Sequence, residues 1–216
     1  MSKVEYIMGL DVSTKVIGVA LFENKGDHGE LKLLHHVAPK IKSKKLTKIE
    51  ELCQKVSIFE NEFLSKYKDF GITRVIIEEP LLRSNNVHTV GTLLRFNGMI
   101  CRSVYETLGV SPDFISSYDS RAYAFPELMA NREFTKKGEP IPQKTIDKSK
   151  PVLFGAYPYD VDKKAVIWEK VADLEPKVAW LYDKRGFLRK ENYDMSDSYS
   201  CVIGYMHKES LWSREQ

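Results

Sequence analysis

The sequence predicts an α/β fold: a mixed five-stranded sheet with helices on both faces. Three observations predict it. Three apolar strand-like runs open the chain, joined by links too short for a crossover. A helical pattern then gives way to a buried strand, Thr73 to Glu78, which implies a crossover and a parallel pairing. A fifth short run, Asp113 to Ser117, follows a second long helix.

The elements follow in order. Val4 to Asp11 is an apolar strand, and Val16 to Phe22 is a second one after the link Val12-Ser13-Thr14-Lys15. Asn24 to Gly29 has turn composition, and Leu31 to Val37 is the third strand. From Leu46, apolar residues at Ile49, Leu52, Cys53, Val56, Phe59, Phe63 and Leu64 have helical spacing that ends near Gly71. Pro80 ends the fourth strand. Asn86 to Leu108 reads as a long helix closed by Gly109, and a helix to about Met129 follows the fifth strand. Residues 131–159 hold Pro140, Pro142, Pro151 and Pro158 among several lysines, and read as a long basic loop or lid, poorly ordered. Asp162 to Leu174 is a short helix, Val178 to Tyr182 is ambiguous, Lys184-Arg185-Gly186 is a turn, and Asp194 to His207 is the last helix.

The 216 residues suffice for one domain, expected to span 1–216 with the basic insertion inside it. A formal net charge of +3 is too mild to announce a nucleic-acid partner, so local patches must carry any such case. Cys53, Cys101 and Cys201 form no C-x-x-C pair, which excludes a disulfide framework or cysteine zinc site and leaves buried reduced thiols. There is no secretory leader pattern and no membrane-length apolar run, so a soluble cytoplasmic protein is expected.

Four acids fall at the ends of these elements. Asp11 ends the first strand, Glu78 ends the fourth, and Asp194 and Asp197 begin the last helix. The i, i+3 spacing puts Asp194 and Asp197 on one helix face. First and fourth strands lying side by side would bring Asp11 to Glu78. An Asp at a helix start can simply be a cap. Glu78, however, directly follows Val75-Ile76-Ile77, where a charge without a partner is costly. Clustered carboxylates repel one another and call for a cation, and hard oxygen donors suit magnesium or manganese.

These residues resemble the RuvC family of Holliday-junction resolvases within the RNase H-like superfamily. Ile7 to Ala20 is similar to the family's opening hairpin, in which the first catalytic Asp ends a strand. Val75 to Glu78 resembles the strand carrying the catalytic Glu, the stretch from Asn85 through Ile100 the helix after it, and Asp194-Met195-Ser196-Asp197 the closing D-x-x-D. The resemblance covers roughly residues 5–130 and 160–207. The segments 131–159 and 177–192 are additional to it, and Pro80, Leu81 and Leu82 stand where the family often carries an aromatic residue.

The resemblance implies an RNase H-like fold and a crossover-junction endodeoxyribonuclease acting on branched DNA. Catalysis would use two Mg²⁺ ions about 4 Å apart, or Mn²⁺ in their place. Asp11 would bridge both ions, and Glu78 with Asp194 or Asp197 would complete the sites, leaving 5′-phosphate and 3′-hydroxyl ends. Lys15, Arg83, Asn86, Lys163 and Lys164 are the expected DNA contacts. Paired cuts in a two-fold symmetric junction imply a homodimer, with Val90, Leu93, Leu94 and Met99 or Ile100 as candidate contacts. The competing readings are a ribonuclease H acting on RNA–DNA hybrids, a non-catalytic junction-binding module, and an actin-like ATPase. The last would need a second similar domain and a second phosphate loop, for which the chain has little room.

Overall fold

The opening apolar runs form an antiparallel meander of β1 (Tyr6–Val12), β2 (Ile17–Asn24) and β3 (Gly29–Val37). β4 (Ile72–Glu78) pairs parallel with β1, and β5 (Asp113–Ile115) pairs parallel with β4. The order across the sheet is β3-β2-β1-β4-β5. The computed structural model describes residues 4–41, 45–80, 86–146 and 150–213. Leu81, Leu82 and Arg83 lie outside that range.

Helices cover both faces of the sheet, which is why its central strands are apolar throughout. α1 (Lys48–Glu62) opens with a capping box in which Thr47 and Glu50 satisfy each other's backbone. α2 (Val87–Leu108) is capped by Asn86 and closes at Gly109 with φ 71°. Their residues Leu52, Phe59, Phe96, Ile100 and Val104 pack on Met8, Leu10, Val75 and Ile77. On the opposite face lie α3 (Ser117–Ala124), α4 (Lys163–Leu174) and α5 (Glu191–Lys208). There Ile167, Val171, Tyr199 and Val202 pack with Ile7, Ala20, Phe22 and Ile76.

The structure departs from the expectations in five places. α3 ends at Ala124, where the chain turns into a single 3-10 turn opened by Pro126, five residues short of the expected Met129. α5 begins at Glu191, so Asp194 lies inside the helix and does not cap it. Segment 131–159 is not a loose lid. β6 (Met129–Ala130) and β7 (Val152–Leu153) pair at its base, Phe134 bridges Pro140, and Phe154 is buried. Ile100 is fully buried against the sheet and is lost as a dimer contact. Cys53 is exposed, whereas Cys201 is buried as expected and Cys101 partly so. Among the described residues, no helix is long and apolar enough to cross a membrane.

Candidate active site

Strand pairing brings the first two carboxylates together. Leu10 pairs with Ile77 in the parallel β1/β4 ladder, so the next residues on each strand, Asp11 and Glu78, are neighbours at the strand ends. Alternation puts both on the face that carries Ile7 and Ile76, which is the face α5 covers.

α5 can deliver its acids because it sits almost on the sheet backbone. Gly18 pairs with Asp11 across β1/β2, and a Cβ at Gly18 would lie 2.0 Å from the Asp194 carbonyl oxygen. Only a residue without a side chain lets the first turns of α5 come this close. The i, i+3 spacing then aims Asp194 and Asp197 at the same point, and the Lys164 Nζ reaches Asp197 Oδ2 at 3.2 Å and Asp194 Oδ1 at 3.8 Å. A second close approach, of Gly204 on α5 to the Ser120 backbone, seats α3 against α5. Arg121 of α3 thereby donates from Nε and Nη2 to Asp197 Oδ1, at 3.2 and 2.8 Å. All four acids, with Arg121 and Lys164, line one cavity of about 270 Å³.

The cluster is electrostatically unbalanced. Fully ionised, it sets four carboxylates against two cations. Burial, then repulsion from Glu78, Asp197 and Asp194, pushes the Asp11 carboxyl well above its ordinary range. Burial and Asp197 push Glu78 up to about 7, against the pull of Arg121 and Lys164. Asp194 is also raised, by burial first, although Lys164 and a hydrogen bond with Asp11 work the other way. The cations respond in kind. Burial would discharge Lys164, but Asp197, Asp11 and Asp194 outweigh it and its ammonium is held more firmly than usual. The Arg121 guanidinium is stabilised in the same sense, mainly by Asp197 and Glu78.

Does this donor set fit a divalent cation? Glu78 Oε2 is buried without a hydrogen-bond partner, an acceptor left open toward the cluster. The donors are hard oxygens in negative excess, which is what magnesium binds. Among the described residues, no three His, Cys, Asp or Glu side chains already stand as a ready ligand set. Lys164 and Arg121 hold both oxygens of Asp197, and Lys164, which is about half exposed, is the one free to swing away. Asp11, Glu78 and Asp194 therefore fit a cation directly, and Asp197 fits one through Oδ2 once Lys164 withdraws.

The remaining expected site residues are dispersed. Lys15 is exposed beside the β1–β2 turn, which Ser13 closes through bonds to Val16. Asn86 is engaged in capping α2, accepting from Thr89 N at 3.2 Å. Lys163 lies over the rings of Phe154 and Tyr159 at 5.8 and 5.9 Å. Lys164, expected to face DNA phosphate, instead neutralises the acids. Arg121 was not anticipated. It is 76 positions from Asp197 in a short helix of unremarkable pattern, and only the tertiary contact shows its role.

No protein-family model matches the sequence, and no curated protein matches it. Solved structures do match. A structure of Thermus thermophilus RuvC is 13% identical, with a TM-score of 0.52, covering 95% of this chain and 97% of that one. T. thermophilus RuvC in complex with Holliday junction substrate is 10% identical, with a TM-score of 0.57, covering 96% of each chain. At such identities the likeness is one of fold, and it runs from end to end. The chain has the RNase H-like fold in the form that RuvC takes.

Proposed function

We propose that this chain is a metal-dependent endodeoxyribonuclease that resolves four-way or otherwise branched DNA. The observation that carries the reading is the convergence of Asp11, Glu78, Asp194 and Asp197 on one cavity, in excess over Arg121 and Lys164. The likeness in fold to a RuvC bound to a Holliday junction supports the choice of substrate.

Asp11, Glu78, Asp194 and Asp197 would hold two divalent cations, magnesium with manganese as a substitute. When bound, such ions activate the attacking water and stabilise the leaving 3′ oxygen. The chain's own residues position the rest. Lys164 and Arg121 offset acid charge that would otherwise repel a phosphate, and Arg121 fixes the Asp197 rotamer. Lys15, which lines the adjoining cavity with Lys164 and Asp194, and Lys163 would neutralise backbone phosphates of the bound DNA. A groove lined by Ser13, Thr14, Lys48, His88 and Thr92 continues from the β1–β2 turn along α2 as a path for the duplex arm. Arg83 belongs to the same proposal from the sequence alone. A homodimer supplies the second cut, and Leu94, exposed on α2 beside the half-buried Val90 and Leu93, is its first candidate contact.

The test is cleavage of an end-labelled four-way junction in magnesium, beside matched duplex and RNA–DNA hybrid. Symmetric nicks in opposed strands that a ligase can reseal are expected. Cutting of the hybrid alone would move the chain to the ribonuclease reading. Tight junction binding without any cutting would leave a binding module.

A further inference from the structure

The segment between α4 and α5 ends in a rigid hairpin that the cleavage chemistry does not use. Tyr182 bridges Leu188, Asp183 N donates to Phe187 O at 2.8 Å, and Gly186 turns the tip with φ 82°. The Asp183 carboxylate accepts from the backbone N–H of both Arg185 and Phe187, at 2.8 and 3.0 Å. The base of the hairpin is tied to α5. Asn192, fully buried, donates to Leu181 O at 2.7 Å and accepts from Leu181 N at 3.0 Å, two residues before Asp194.

What this hairpin presents is an aromatic ring with a cation on it. Phe187 is 62% exposed, and the Arg185 guanidinium lies 5.1 Å from its centroid. Tyr182, which bridges Leu188, is 55% exposed. A single exposed apolar residue is ordinary. Here the ring is held on a hydrogen-bonded hairpin, two of whose other residues, Asp183 and Leu188, line a cavity of about 600 Å³. That cavity runs from Asp183, Leu188 and Lys190 to Lys15, Lys164 and Asp194, so it opens onto the carboxylate cluster.

We infer that the hairpin is a nucleobase-stacking element: Phe187, with Arg185, takes a base unstacked from DNA whose backbone is met by Lys15 and Lys190 of the neighbouring cavity. An aromatic face beside cations is the chemistry that binds single-stranded bases without reading their sequence. The inference rests on the proposed function only in taking DNA as the ligand. Six residues lie between Phe187 and Asp194, so their Cα atoms are at most roughly 25 Å apart.

The test measures binding of wild type, Phe187→Ala and Phe187→Tyr to oligothymidylate, to a four-way junction and to matched duplex, at one salt concentration in calcium. Loss of one stacked base weakens binding about 5- to 150-fold. That loss is expected for Phe187→Ala on the single strand and the junction, with duplex unchanged and Phe187→Tyr close to wild type. In parallel, 2-aminopurine placed at successive junction positions reports one unstacked base, whose signal Phe187→Ala removes. If Phe187→Ala binds every DNA as wild type does, the hairpin does not stack bases, whatever the enzyme's substrate. The same holds if Phe187→Ala leaves DNA binding intact but turns a dimer into a monomer in sedimentation, because Phe187 then contacts a second copy. If wild type prefers no junction over duplex yet loses single-strand affinity with Phe187→Ala, the stacking element stands and the junction reading fails.

Discussion

Glu78→Gln should stabilise the protein while abolishing its activity. Burial and the charge of Asp197 raise the Glu78 carboxyl from 4.5 to about 7. Between those values the folded chain keeps a proton on Glu78 that the unfolded chain has released. Stability therefore falls as pH rises through that window. That difference corresponds to about 3 kcal/mol, fully felt near pH 8 and absent below about pH 4.5. Glutamine has the shape of the protonated acid and never ionises, so it avoids the loss. In a chain of this length about 3 kcal/mol moves the melting temperature by roughly 6–12 °C. Urea unfolding of both proteins in EDTA, at pH 5 and pH 8, measures the effect. The expected result is near-equality at pH 5 and a clear advantage for Glu78→Gln at pH 8. Magnesium should close the gap by stabilising the wild type more than the variant. Equal pH dependence in the two proteins, or a less stable variant at pH 8, would refute the idea that Glu78 is held in an unbalanced acidic cluster.

Three further outcomes follow from the same geometry. Arg121→Gln leaves Asp197, with its side chain 3% exposed, with only the half-exposed Lys164 as a cationic partner, and should cost about 3–5 kcal/mol in a denaturation curve. Adding Asp197→Asn should recover most of that loss, and a cycle with no coupling would deny the pair its role. Gly18→Ala drives a Cβ into the Asp194 carbonyl at 2.0 Å, so α5 must lift. A loss of roughly 1–3 kcal/mol is expected, with cleavage falling further than stability alone explains. Lys15→Gln should weaken junction binding without changing the protein's melting temperature, and should lower the slope of log K against log salt by about 0.9.

The sequence carried the frame of the site because that frame is local. Asp11 and Glu78 end apolar runs, and once the β3–α1–β4 crossover carries the chain past the meander to pair β4 with β1, both acids fall at neighbouring strand ends. The i, i+3 spacing of Asp194 and Asp197 needed only a helix, and the helix begins a turn earlier than their capping chemistry suggests. What stayed hidden depends on contacts between distant segments. Arg121 reaches Asp197 only because Gly204 lets α3 settle onto α5, and nothing near Arg121 in the chain signals it. Lys164 was visible as a basic residue near the site. Its pairing with Asp194 and Asp197 was not, because a lysine facing phosphate and a lysine facing carboxylates have the same local sequence. Segment 131–159 looked structureless through its prolines and lysines. Its base is nevertheless pinned by the short β6–β7 pairing and by the burial of Phe154, neither of which has a periodic signature.

We read the carboxylate cluster as a metal-dependent nuclease centre. Its most direct test is magnesium-dependent cleavage of a four-way junction by wild type and by Asp11→Asn at equal junction occupancy. Paired cuts by the wild type that vanish in EDTA are expected, with at least a 100-fold loss in Asp11→Asn, since even residues behind metal ligands cost 10- to about 100-fold when removed. Cleavage that persists in Asp11→Asn or in EDTA would contradict that reading.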